Sequence, residues 1–278
     1  MNEIIQYFAT IPSLHRSLIL AGGITLFWLI ENAFPLFKFT YKKWHHAGIN
    51  LFLTLTTIII NFALAFILLK TSDWTIAHNF GVLQWLPSIQ LWLYALIGLL
   101  LLDLIGAYLV HLIEHKVKLL WRFHLIHHTD TWVDTTSANR HHPGESVIRF
   151  VFTTLGVLIV GSPMWLIFMY QTLSVLSTQF THANITLPKK LDSFLSYFIV
   201  SPDMHKVHHH HALPYTDSNY GNIFSLWDRI FGTFMTLQKD KIIFGIDTYM
   251  NPEENNKLKN LLKIPFQKLR SPENVLKL

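Results

Sequence analysis

The 278-residue chain has no cysteine, and only 14% of its residues are charged, against roughly 25% in ordinary soluble domains. Without cysteine there is no disulfide framework, no thiolate metal site and none of the cysteine-rich sites that structural zinc prefers. Glycine (12) and proline (11) are too few for a collagen-like or disordered chain. Two metal-binding strings are also missing: H-E-x-x-H of zinc proteases, and E-x-x-H of soluble carboxylate-bridged di-iron bundles. The net charge of +5 is not a nucleic-acid signal, because all of it falls in the segment from Lys257 to Lys277, where six basic residues face only Glu273. The other 16 basic and 16 acidic residues cancel, leaving no basic stripe to follow a phosphate backbone, so no nucleic-acid partner is expected. In that tail Leu258, Leu261, Leu262 and Leu269 share a face opposite lysines, the pattern of a membrane-surface segment or of a solvated tail.

Apolar sequence fills the space left by charge, at 51% of residues. Ser17 to Phe34 is apolar apart from Glu31, and Ile49 to Leu69 is uncharged over 21 residues, enough to cross about 30 Å of hydrocarbon. Trp85 to Val110 carries only Asp103, and Val147 to Phe180 only Arg149, with a break at Gly161-Ser162-Pro163. These stretches predict a multi-pass membrane protein. Met1 to Pro12 lacks the basic start of a secretory signal. Lys38, Lys42 and Lys43 mark the first loop as cytoplasmic, which puts everything after Val110 on that face and makes 147–180 a membrane hairpin.

Histidine is the anomaly. Thirteen of the 17 lie between His111 and His211. His111-x-x-x-His115, His124-x-x-His127-His128 and His205-x-x-His208-His209 each set imidazoles on one side of a helix, because positions i, i+3 and i+4 fill an arc of about 100°. Neutral imidazole is the commonest metal ligand, and eight such ligands exceed the capacity of one ion. Two metals follow, although imidazole suits zinc, copper, iron and nickel alike. Asp103 lies about 12 Å of helix before His111; as a carboxylate inside a span it is a functional candidate, second in line behind a histidine from another helix. Three functions fit at this point: an oxygenase, a di-zinc membrane hydrolase, and a metal transporter or storage protein.

Taken together, His111-x-x-x-His115, Leu120-Trp121-Arg122-Phe123-His124-x-x-His127-His128, Arg140-His141-His142-Pro143-Gly144-Glu145, His182-Ala183-Asn184, Pro202-Asp203-Met204-His205-Lys206-Val207-His208-His209, Asn219-Tyr220-Gly221-Asn222 and Trp227-Asp228-Arg229-Ile230-Phe231-Gly232-Thr233 resemble the fatty acid hydroxylase and sterol desaturase superfamily of membrane di-iron oxygenases. The resemblance implies two iron ions, O2 as co-substrate, and a sterol, fatty acyl or ether-lipid substrate hydroxylated or desaturated at an unactivated C–H bond. It also implies a separate electron donor of ferredoxin or cytochrome b5 type. It makes ligands of His111, His115, His124, His127, His128, His205, His208 and His209, and adds His142 and His182. His141, His210 and His211 are surplus and expected to be solvated neighbours; His15, His45, His46 and His78 stand apart and are expected at the interface.

The fold expected is all-α: transmembrane helices over 1–110, a catalytic region over 111–238 that includes the hairpin 147–180 and forms a cytoplasmic helical cap with a dimetal site, and a basic tail over 239–278. Ion carriers place acids and histidines within their spans, whereas these histidines flank them, which favours the catalytic cap.

Overall fold

The structure, a computed structural model, describes residues 2–272 and is all-helical. Among the described residues, β pairing is confined to isolated bridges such as Pro35 with Ile185. A short α1 (Asn2–Ala9) precedes α2 (Ser13–Ala33) and the long α3 (Lys43–Ala77). After α4 (Val82–Trp85), α5 (Leu91–Asp103) continues through a π-helical stretch, Leu104–Leu109, into α6 (Val110–Lys116). Among the described residues, four stretches are long and apolar enough to cross a membrane: Ser13–Ala33, Lys43–Trp85, Leu91–Lys116 and Pro143–Val160. Along α3 the side chains of Leu55, Ile59, Phe62 and Phe66 point outward, Phe62 being 84% exposed. A face this apolar is a liability in water and is satisfied by lipid.

The segment 147–180 falls in two helices, α8 (Pro143–Val160) and α9 (Met164–His182), with the break at Gly161-Ser162-Pro163. Gly161 ends α8 with φ +70 and faces Gly81, whose φ is +108; a Cβ on Gly81 would lie 2.4 Å from the Gly161 nitrogen. Only two glycines allow that contact, and it pins the turn of the hairpin to the loop after α3. Leu102, Val157, Leu166 and Ile167 form the core between α5, α8 and α9.

Helix direction decides where the polar ends meet. The last turns of α2, α6 and α9 and the first turns of α3 and α8 all lie at the end of the bundle away from Gly81 and Gly161. The remaining elements gather there: α7 (Lys118–His128), α10 (Lys189–Leu195), α11 (Pro202–His208), α12 (Leu226–Ile230), α13 (Pro252–Asn255) and α14 (Leu258–Leu261). With 35 residues, α3 is about 52 Å long and outreaches the hydrocarbon. Its first turns are therefore part of the cap. There His46 is buried between Asp130 (2.9 Å) and Asp134 (3.3 Å), not at the interface as its isolation in sequence suggested. Arg140, fully buried, donates to Asn50 Oδ1 at 2.8 Å and to the Asn255 carbonyl at 2.7 Å, tying α3 to the C-terminal segment.

The tail leucines face the protein. Leu261 and Ile264 are buried against Ile49, Leu53, Leu125 and Ile126, with Leu258, Leu262 and Leu269 packed around them. Arg122 of α7 donates to the carbonyls of Pro265 and Gln267. The apolar stripe thus covers the back of α7, which burial favours over lying free; Glu273 and Lys277 fall outside the described residues.

Candidate metal centre

Nine buried histidines converge in two groups. One comprises His111, His115, His124, His128 and His208, the other His127, His182, His205 and His209, and within each group the ligand atoms lie within 4.8 Å of one another. The two H-x-x-H-H strings are exchanged between them. His124 and His128 of α7 enter the first group while His127 enters the second; His205 and His209 enter the second while His208 of α11 enters the first. In helical geometry the i+3 ring lies on the other flank of the arc from the i+4 ring, so two facing copies interleave. To this frame α6 adds His111 and His115, and the end of α9 adds His182.

Hydrogen bonds behind the rings fix which nitrogen faces inward. His111 Nδ1 lies 2.9 Å from the Tyr220 carbonyl and His124 Nδ1 2.8 Å from a Glu145 carboxylate oxygen. Both acceptors require Nδ1 to carry the hydrogen, so each Nε2 presents a lone pair. Those two Nε2 atoms are 3.1 Å apart. In the second group His182 Nδ1 is held by the Thr178 carbonyl at 2.8 Å, leaving its Nε2 lone pair 3.1 Å from His127 Nε2 and from His205 Nε2 and 3.2 Å from His209 Nε2. The facing lone pairs of His111 and His124 repel, and a cation between such nitrogens converts the repulsion into coordination. Protons are a poor substitute. Burial, reinforced by neighbouring rings, holds His124, His127, His128, His205 and His209 well below the ordinary imidazole value, and burial brings His208 down to about 4. The donor set therefore fits two metal ions.

The remaining proposed site residues lie elsewhere. His142 belongs to neither group: it caps α8, its Nδ1 accepting from the Gly144 N–H at 2.9 Å, and its ring sits between Phe123 and Phe266. Proline at the first position of α8 makes the preceding residue its cap, and that commitment turns the ring away. Asp103 has no histidine among its hydrogen-bond partners. It accepts from the backbone of Ile223 and Phe224 and from Trp227 Nε1, at 3.2 to 3.3 Å. It fastens the 223–227 segment to α5, because a buried carboxylate and three buried donors satisfy one another.

The sequence reading singled out none of the three carboxylates behind the rings, and it expected one bordering histidine, His141, to be solvated. Glu145 Oε1 accepts from His124, from His141 at 2.6 Å and from Arg149 at 2.9 Å. His141 also stacks on His127 with centroids 4.9 Å apart, so it borders the centre and is not a solvated neighbour. Asp217 Oδ1 lies 3.2 Å from His115 Nδ1. Glu114 pairs with Arg149 at 2.6 Å. Glu114 could have been flagged, since His111 to His115 spells H-x-x-E-H, a zinc-protease string. Its bond to Arg149 makes it an anchor of the charge network. Asp217 left no sequence signal, because it reaches His115 from 102 residues away.

Comparison with known proteins points one way. A family model described as fatty acid hydroxylase matches residues 95–233, half of the chain, and takes in all nine converging histidines. Ornithine lipid hydroxylase OlsE of Rhizobium tropici is 26% identical over 152 residues, covering 54% of this chain and 43% of that protein. Alkylglycerol monooxygenase of Danio rerio is 27% identical over 168 residues, 60% of this chain and 35% of the relative. Methylsterol monooxygenase 2-2 of Arabidopsis thaliana is 31% identical over 124 residues, 44% and 46% of the two chains. The matched segment spans less than half the length of each of these relatives. No solved structure matches the chain.

Proposed function

Because the chain belongs to the fatty acid hydroxylase family, we propose that it is a membrane-embedded di-iron monooxygenase that hydroxylates a lipid at an unactivated C–H bond. The observation that carries this reading is the convergence of nine buried imidazoles in two groups, with Nε2 atoms as close as 3.1 Å, at one end of an apolar helical bundle. His111, His115, His124, His128 and His208 would hold one iron, and His127, His182, His205 and His209 the other. Bound iron supplies the redox chemistry that activates O2, which zinc, having no accessible second oxidation state, does not.

The overall reaction is RH + O2 + 2 electrons + 2 protons giving ROH + H2O. The electrons come from a separate donor protein of ferredoxin or cytochrome b5 type. The chain's own residues supply a buried site at the end of apolar helices, with His111, His115, His124 and His208 held in one tautomer by Glu145, Asp217 and backbone carbonyls. Positioning a C–H bond there with water excluded is the main service a protein renders to such chemistry. The relatives act, by their names, on ornithine lipids, alkylglycerols and methylsterols; a membrane lipid is the shared substrate class. Lys38, Lys42 and Lys43 support a cytoplasmic location of the centre.

The test is metal analysis and O2 uptake on the purified protein, paired with lipid mass spectrometry of cells with and without it. Two irons per chain, O2 consumption only with reductant, and lipids that gain one oxygen are expected. Lipids that instead lose two hydrogens would move the assignment to desaturation. An active preparation holding zinc and no iron would replace it with hydrolysis, and ion flux without O2 consumption would replace it with transport.

A further inference from the structure

Lys206 is wholly buried, an unusual place for a lysine. It stands on α11 between the ring of His205 and the pair His208-His209, turned about 100° from His205 toward the end of α9. Its ammonium donates to the carbonyl of Thr181, at 3.0 Å, and to that of His182. These are last-turn carbonyls of α9, which have no partner within the helix and lie at the negative end of its dipole.

The ring carried by that last turn is the hub of the four-histidine group, since His182 Nε2 touches the Nε2 atoms of His127, His205 and His209. The outer support of the two groups differs. In the five-histidine group His111, His115, His124 and His208 each hold an acceptor at Nδ1. Among the described residues, in the four-histidine group only His182 does; the Nδ1 atoms of His127, His205 and His209 are buried with no partner among them. We propose that Lys206 is the positioning residue of the four-histidine metal position, holding the backbone of His182 so that its ring meets the three others. The inference rests on the dimetal reading above.

The sign of its effect distinguishes positioning from charge. A cation beside a dication repels it, so removing a lysine that acted through charge tightens metal binding; removing one that positions a ligand weakens it. Titration of metal-free wild type and Lys206→Met with Co(II) alone, followed by absorption and metal analysis, reads both positions, with His209→Ala as the reference for a damaged second position. The first metal is expected to bind as in wild type and the second about 10- to 100-fold more weakly, the usual consequence of losing outer support. Lys206→Arg should recover most of that loss. Tighter binding of the second metal, equal weakening of both, or two unchanged affinities would overturn the proposal. So would a variant whose metal-free melting temperature falls while arginine restores neither affinity nor temperature. If Lys206→Met fails to fold, Lys206→Gln, a neutral donor on a shorter arm, should weaken the second metal selectively, and unchanged affinities there count against the proposal equally. A wild-type protein that takes up no Co(II) removes the dimetal reading itself; two metals in wild type and two equally held in the variants remove only the role of Lys206.

Discussion

Built from one repeated string, H-x-x-H-H, the two histidine groups differ in what stands behind their rings. Four rings of the five-histidine group lean on a carbonyl or a carboxylate, and two of those supports, Glu145 and Asp217, are anionic. In the four-histidine group one ring leans on a carbonyl, and a buried lysine holds the turn that carries it. Anionic support raises the basicity of an imidazole ligand and fixes its orientation. The comparison teaches that two strings of identical spacing, each shared between both groups, do not make equal sites, because what stands behind the rings differs.

The sharpest way to break the comparison is to remove one ligand from each side. His128→Ala and His209→Ala should each leave about one metal per chain and cut turnover by more than the roughly 100-fold that loss of an outer partner costs, read by metal analysis and O2 uptake. Retention of two tightly held metals by either variant would show that its ring is not a ligand. Glu145→Gln comes next: it should weaken the first metal about 10- to 100-fold and spare the second, measured by chelator competition. Weakening of the second metal alone would reverse the order of the two sites.

Acid provides the third test. An imidazole held down at about 4, as His208 is, stays neutral in the folded metal-free protein between that value and about 6.5, where the unfolded chain is protonated. The unfolded state then binds more protons, so stability rises with pH across this window and falls as pH drops from about 6.5 toward 4. The slope is about 1.4 kcal/mol per pH unit for each such ring, checked by denaturation of the metal-free protein, and bound metal should flatten it. A flat profile without metal would mean that the rings are already charged in the fold.

Residues outside both groups should give the smallest effects. His142→Ala should keep both metals and lose about 1 kcal/mol, the worth of a helix cap, seen as a lower melting temperature; loss of a metal would return His142 to the ligand set. His211→Ala should change stability by no more than about 0.5 kcal/mol and leave metal content untouched.

Membrane helices and the histidine strings are both local in sequence, which is why they were legible. The apolar stretches located the helices, although α3 runs six residues before Ile49 and eight beyond Leu69, and i, i+3, i+4 spacing set the rings of each string on one side. Spacing alone did not tell which string serves which metal. His142 and His141 are neighbours in the same motif, yet capping turns the first away and a bond to Glu145 draws the second to the edge of the centre. Asp103 read as functional because a carboxylate in a span needs a partner; the partner came from backbone more than 100 residues downstream.

The sequence by itself determined an all-helical membrane chain and a stock of imidazoles too large for one ion, because both follow from composition and from the 3.6-residue period. Tertiary structure alone decided the division into five and four, the exchange of the two strings, and the supports supplied by Glu145, Asp217 and Lys206. Those depend on which helix ends meet, and contacts between Asp217 and His115, or Lys206 and Thr181, join residues 102 and 25 positions apart that no local pattern relates.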